Sequence, residues 1–251
     1  MAGHSKWANI KHKKARVDAK RGKLWSKCSR AIMVAAKEGG PDPNANLNLR
    51  YAVDEAKAAN MPKDTIQRAI DKGAGTGDDA VEFVAVRYEG YGPSGVAIMV
   101  DALTDNRNRT APEMREIFTK AGGSLGATNS VAYLFEPKGV ITVEEANATE
   151  EMLMEIAAEA GAEDVTLDDG TWTITTPPEA LGDVKDALDA AQVSTESVER
   201  TMLPTNDAEV TGDDVSKVLK ILDQLEDHDD VQKVYTNFNA SEEDLARAGG
   251  G

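Results

Sequence analysis

The sequence predicts an α+β multidomain protein: an N-terminal three-helix domain followed by two α/β domains, the last a ferredoxin-like βαββαβ unit inserted into the middle one. Three observations predict it. Apolar residues recur at helical spacing as far as Lys72 and then give way to β-branched runs. The change falls at Gly73-Ala74-Gly75-Thr76-Gly77-Asp78-Asp79, a polar, glycine-rich stretch that reads as a domain boundary. From Gly139 to Thr201 the order is strand, helix, strand, strand, helix, strand. The ββαβ block before it lacks a helix and a strand, which arrive only after Pro204. The domains are therefore expected at 1–76, at 80–137 joined with 204–240, and at 138–203.

After a basic arm, residues 17–37 read as a helix with Val17, Leu24, Cys28, Ala31, Ile32 and Ala35 on one face, stopped by Gly39, Gly40, Pro41 and Pro43. A second helix spans about 46–59, with Tyr51, Ala52, Ala56 and Ala59 inward. Pro62 opens a third as its first helical residue, with Ile66, Ala69 and Ile70 inward and Gly73 past its end. Val81 to Glu89 and Val96 to Leu103 flank Gly90-Tyr91-Gly92-Pro93-Ser94-Gly95, a hairpin signal. A helix follows over 108–121, with Pro112 in its first turn, and then a strand from Val131 to Phe135. The inserted unit reads as strand 140–143, helix 149–160, strands 164–167 and 171–175, helix 179–190 and strand 195–201. Helix 212–225 and strand 231–235 complete the middle domain, and the tail 246–251 is expected to fray.

Charge is distributed very unevenly along this chain. Lys6, Lys11, Lys13, Lys14, Arg16, Lys20, Arg21, Lys23, Lys27 and Arg30 stand against one acid, Asp18, in the first 30 residues. That segment is +9, so of the total −16 the remaining residues carry −25. An anionic body with one cationic patch admits a polyanion from one side only. On a helix, Arg16, Lys20, Lys23, Lys27 and Arg30 form a stripe roughly 80° wide, beside the apolar face and expected to stay free. Few acids alternate with these bases, and their mutual repulsion costs stability unless a partner relieves it. Lys outnumbers Arg, which suits backbone phosphates better than base edges. Lys6, Trp7 and His12 belong to the same candidate surface. Trp7 and Trp25 have two readings, as stacking platforms for bases or as hydrophobic anchors. Arg107 and Arg109, at the start of a helix, either clamp a phosphate or pair with local carboxylates.

The residues also carry a resemblance. Met1 to Lys14, reading MAGHSKWANIKHKK, and Asp18 to Lys23, reading DAKRGK, are very similar to the opening of the YebC family. The similarity continues through Asn60-Met61-Pro62-Lys63, Tyr88 to Pro93, Thr104 to Thr110 and Val231 to Asn237, and it covers essentially the whole chain. It departs at Gly126-Ala127-Thr128-Asn129-Ser130, where the family pattern is Gly-Thr-Pro-Gly-Ser. The resemblance implies a helical domain followed by two α/β domains. It also implies a role, since members are commonly called probable transcriptional regulators and a mitochondrial relative is a translational activator of a cytochrome oxidase subunit.

Other signals point away from catalysis. No nucleophile elbow, Walker loop or paired-carboxylate motif appears, so no enzyme activity and no cofactor are expected. Gly73, Gly75 and Gly77 follow a helix and precede a strand, the reverse of a dinucleotide fold. His4, His12 and Cys28 do not make a zinc set, no metal is expected, and His228 reads as part of a solvated acidic turn. Trp172 stands beside Asp164, Asp168 and Asp169 without the basic and aromatic pattern of an RNA-binding sheet. The single cysteine and the lack of an apolar leader or span indicate a cytoplasmic chain with no membrane partner. The expected function is a non-enzymatic nucleic-acid-binding regulator of gene expression, which the resemblance implies to be a DNA-binding transcriptional regulator. The alternatives are a translation factor holding ribosomal RNA through the same helix and a ligand sensor built on ferredoxin-like domains.

Overall fold

A computed structural model describes residues 21–75, 83–168 and 170–249 of the chain. By contacts the chain divides into two compact units, Phe135–Leu203 and the two segments that flank it, Met1–Leu134 and Pro204–Gly251.

Among the described residues, the flanking unit begins with the helices α1 (Arg21–Gly39), α2 (Leu47–Ala58) and α3 (Lys63–Gly73). Their shared core takes Cys28, Ile32, Ala35 and Ala36 from α1, Leu49, Ala52, Val53 and Ala56 from α2, and Ile66, Ala69 and Ile70 from α3. The buried arc of α1 lies on the Trp25 side of the expected face. Trp25 packs on the core and donates from Nε1 to the Ala59 carbonyl at 3.0 Å, while Leu24 is left at the margin, 42% exposed. The Asn46 side chain accepts from Leu49 N and donates to the carbonyls of Ala35 and Gly40, so one buried amide caps α2 and closes α1. Pro62 is the N-cap of α3 rather than its first residue, and Gly73 ends the helix from inside it. A Cβ on Gly73 would lie 2.3 Å from the Met33 carbonyl oxygen, so glycine is what lets α3 approach α1.

The unit also holds a four-stranded sheet whose strands lie in the order Ser124–Leu125 (β3), Val84–Tyr91 (β1), Ala97–Thr104 (β2) and Val231–Thr236 (β9). Strands β1 (Val84–Tyr91) and β2 (Ala97–Thr104) pair antiparallel from Val84↔Thr104 to Tyr91↔Ala97, and β9 (Val231–Thr236) lies antiparallel on the far side of β2. The tight connection puts Ser94 at φ 58° and Gly95 at φ 73°. Helices α4 (Arg107–Lys120) and α7 (Asp213–Asp227) cover one face, packing Met114, Phe118, Val218, Ile221 and Leu225 on Tyr88, Ile98, Val100 and Ala102. The period-2 alternation of β1 and β2 supplies that face.

Two elements differ from the sequence reading. No strand runs from Val131 to Phe135. The sheet instead takes the short β3 (Ser124–Leu125), and residues 132–134 form a 3-10 turn. The cause is Glu89, 3% exposed on β1, whose carboxylate accepts from the backbone N–H of Asn129, Val131 and Ala132 at 2.8–2.9 Å. Donors spent on a carboxylate are unavailable to a ladder. Burial pushes the Glu89 carboxyl up, but those three N–H groups, with Arg87, bring it below its ordinary value. Asn129, standing where the family pattern has glycine, adopts φ 65°, a conformation asparagine tolerates better than most residues. Of the tail expected to fray, residues 246–249 are helical, and 250 and 251 lie outside the described residues. Helix α8 (Glu242–Gly249) packs Leu245 and Ala248 on the sheet's core, behind the short parallel pair of β8 (Ala208–Glu209) and β10 (Phe238–Asn239).

The inserted unit contains β4 (Phe135–Glu144), α5 (Glu150–Glu159), β5 (Asp164–Asp168), β6 (Thr171–Thr176), α6 (Leu181–Ala190) and β7 (Ser197–Pro204). Its sheet order, β5-β6-β4-β7, is that of a split-βαβ fold. The register pairs Ile141 with Ile174 and Val143 with Trp172 on one face, and Leu153, Ala157, Val184 and Leu188 are the buried residues of the two helices. Trp172 is 6% exposed and donates from Nε1 to the Ala148 carbonyl, which makes it a core residue.

Candidate nucleic-acid interface

Of the cations singled out in the sequence, Lys6, Lys11, Lys13, Lys14, Arg16 and Lys20 lie outside the described residues, as do Trp7 and His12. Arg21 opens α1. Lys23, Lys27 and Arg30 follow along one face of that helix, and this half of the stripe is not free. Lys23 Nζ donates to the Asp227 carbonyl at 3.0 Å and lies 3.9 Å from the Asp229 carboxylate. Lys27 Nζ donates to the Glu226 carbonyl. Arg30 donates to the Asp229 carbonyl at 2.7 Å and to Asp230 Oδ1 at 2.8 Å, with its guanidinium 5.3 Å from the centre of the Phe83 ring.

The acceptors share a physical origin. Residues 226–230 are the end of α7 and the turn after it, where the last carbonyls of a helix lack partners and carry the negative end of its dipole. Helix α7 has no basic residue in its own last turn. The lysines of α1 supply the missing charge from another part of the chain.

Asp230 is the centre of the contact. Its side chain is 2% exposed; Oδ1 meets Arg30, and Oδ2 accepts from Arg109 and from the Thr110 hydroxyl, each at 2.7 Å. Burial raises the carboxyl, but Arg109, Thr110 and Arg30 outweigh it and bring Asp230 down to about 2. The turn is held from below by its own backbone. Leu103 N donates to the Asp230 carbonyl, and Asp230 N donates to His228 Nδ1. Because Nδ1 accepts, the neutral ring carries its proton on Nε2, which faces Glu113 Oε2 at 3.0 Å. The turn expected to be solvated is so only in part: Asp227 and Asp229 are exposed, whereas Asp230 is buried among hydrogen bonds.

Arg109 pairs with Asp230 and with Asp105. Arg107, at the first residue of α4, is exposed and makes no ion pair among the described residues. Sequence reasoning missed Asp230, Thr110 and Thr104, whose hydroxyl meets that of Thr110 at 2.7 Å. No local signal marked Asp230, because an aspartate in the turn before a strand is ordinary. Among the described residues no His, Cys, Asp and Glu side chains gather as a metal site, and no helix is long and apolar enough to cross a membrane.

Comparison with known proteins covers both units. Residues 5–76 match the family described as the TACO1/YebC protein N-terminal domain, and residues 83–238 match the TACO1/YebC second and third domain. A probable transcriptional regulatory protein from Rubrobacter xylanophilus is 53% identical over the whole of both chains. Another of that name from Natranaerobius thermophilus is 54% identical over 95% of this chain and 96% of its own. The crystal structure of a conserved hypothetical protein from Aquifex aeolicus superposes with a TM-score of 0.85 at 50% identity, covering 95% of this chain and 98% of that one.

Proposed function

This chain belongs to the TACO1/YebC family, and from that membership we infer a non-enzymatic regulator of gene expression that works by gripping nucleic-acid phosphates. The observation that carries the reading is the segregation of charge, +9 on the first 30 residues and −25 on the remainder. The arm, with Lys6, Lys11, Lys13 and Lys14, and the α1 stripe are the contact surface, and Arg107 is the remaining candidate outside it.

The relatives' name favours DNA as the polyanion and transcription as the process. One observation favours the second form, a translation factor on ribosomal RNA. A helix that reads a major groove needs an open face along its length, and the C-terminal half of the α1 stripe lies on the chain's own acidic turn. Local contacts to irregular RNA phosphates make no such demand.

Fluorescence anisotropy against salt tests the surface. With Arg30 held by Asp230, four stripe cations remain, for a slope of log K against log salt of about −3.6 on duplex DNA. A slope near zero rejects the reading. Sedimentation of a lysate separates its two forms: salt-sensitive migration with ribosomes supports translation, whereas free protein that protects a defined promoter segment from nuclease supports transcription.

A further inference from the structure

The contact between α1 and the end of α7 sets the chain's own negative charge against cations assigned above to nucleic acid. We propose that Lys23 and Lys27 are shared cations: the acidic turn 226–230 occupies them in the free protein and yields them to phosphate on binding, while Arg30 stays on Asp230 as the pivot. The proposal rests on the nucleic-acid reading and adds to it an internal competitor.

The division between movable and fixed cations follows from exposure at Lys23 and from the acceptors held at Lys27 and Arg30. The Lys23 side chain is 55% exposed and its carboxylate neighbour, Asp229, is 72% exposed, so water and salt screen that pair and a phosphate can reach the ammonium without unfolding anything. Lys23 and Lys27 also donate to the main-chain carbonyls of Asp227 and Glu226, partial charges that an ionised phosphate oxygen outcompetes. Arg30 is different. Its side chain is 21% exposed and Asp230 is 2% exposed, with Arg109 and Thr110 on the second carboxylate oxygen. Withdrawing Arg30 would strip a buried carboxylate of one of its two cations. A phosphate therefore takes Lys23 first and Lys27 next, and exchange stops at Arg30.

The arrangement has a use. A cationic face left bare binds any polyanion, whereas one already holding a carboxylate and two carbonyls accepts only a partner that brings several phosphates at once. The α7 end loses its cap in the exchange, so binding and the seating of α1 on α7 are thermodynamically linked.

The test uses the full chain, a labelled 20-base-pair DNA duplex and an RNA hairpin as probes, and the Asp229→Asn variant. Asp229 is exposed, and matched thermal melts establish that the variant folds. The variant is expected to bind the probe about two- to fivefold more tightly than the parent, the range for releasing one exposed ion pair. Carbodiimide coupling gives a second readout, because it joins Lys23 to Asp229 only while they touch, and saturating nucleic acid is expected to lower that product severalfold. Binding with unchanged variant affinity and undiminished coupling overturns the competitor and leaves the nucleic-acid reading standing. If neither protein binds either probe at low salt, the nucleic-acid reading falls and the competitor with it.

Discussion

Arg30 and Asp230, 200 positions apart in the chain, meet at 2.8 Å with the carboxylate almost fully buried. The pair joins the first described helix to the turn before the last strand of the sheet. Arg109 occupies the other carboxylate oxygen at 2.7 Å, so one acid answers two guanidinium groups from two different helices. Replacing it by the neutral isostere in Asp230→Asn takes the counter-charge from the partly buried Arg30 and leaves Arg109 with Asp105 alone. The variant is expected to lose about 3 kcal/mol of stability, read as a lower urea midpoint.

The same carboxylate makes stability depend on acid. Asp230 titrates at about 2 in the fold against 3.8 for the free residue, so its stabilisation is complete above pH 4. It is withdrawn as pH falls through the folded value. The contribution is about 2 kcal/mol. Glu89, also held below its ordinary value, acts in the same direction. Urea midpoints taken from pH 7 to pH 2.5 are expected to fall in the acid range, and to fall less in Asp230→Asn, which has lost one of the two groups.

Glu89→Ala removes the acceptor of three backbone donors at once. The cost expected is about 3 kcal/mol, with faster amide exchange at Asn129, Val131 and Ala132 as its local signature. Asn129→Gly, which restores the glycine of the family pattern at φ 65°, is expected to be neutral or slightly stabilising. Asn129→Val is expected to cost about 1 kcal/mol or more at the same position.

Gly73→Ala places a methyl group 2.3 Å from the Met33 carbonyl oxygen. That atom is main chain and cannot swing aside, so α1 and α3 must separate. A loss of about 2 kcal/mol is expected by thermal melting, whereas Gly22→Ala, where a Cβ meets nothing within 4 Å, serves as the control and is expected to be neutral or stabilising.

Helices and strands were legible where one periodicity ran uninterrupted. Ile66, Ala69 and Ile70 identified the buried side of α3, and the βαββαβ order anticipated the β5-β6-β4-β7 sheet. Reading failed where a long-range polar bond decided the outcome. The residues from Val131 to Phe135 have strand composition, and only the distant carboxylate of Glu89 diverts them. Leu24 looked buried because its spacing to Cys28 is right, yet Trp25 takes the place with an indole bond to Ala59 that no local pattern announces. At the candidate interface the alignment of Lys23, Lys27 and Arg30 along one face of α1 was legible. Their occupancy was not, because the acceptors are carbonyls and carboxylates some 200 residues downstream.

That separation fixes an order of events during synthesis. A chain made from its amino end completes α1, α2 and α3 and closes their core long before residues 226–230 leave the ribosome. Throughout that interval Lys23, Lys27 and Arg30 ride on a finished helix without the turn that later engages them. If these cations grip phosphates as proposed, the newborn protein is at its most adhesive toward the RNA that surrounds it in that interval, and it becomes guarded only when residues 226–230 are made.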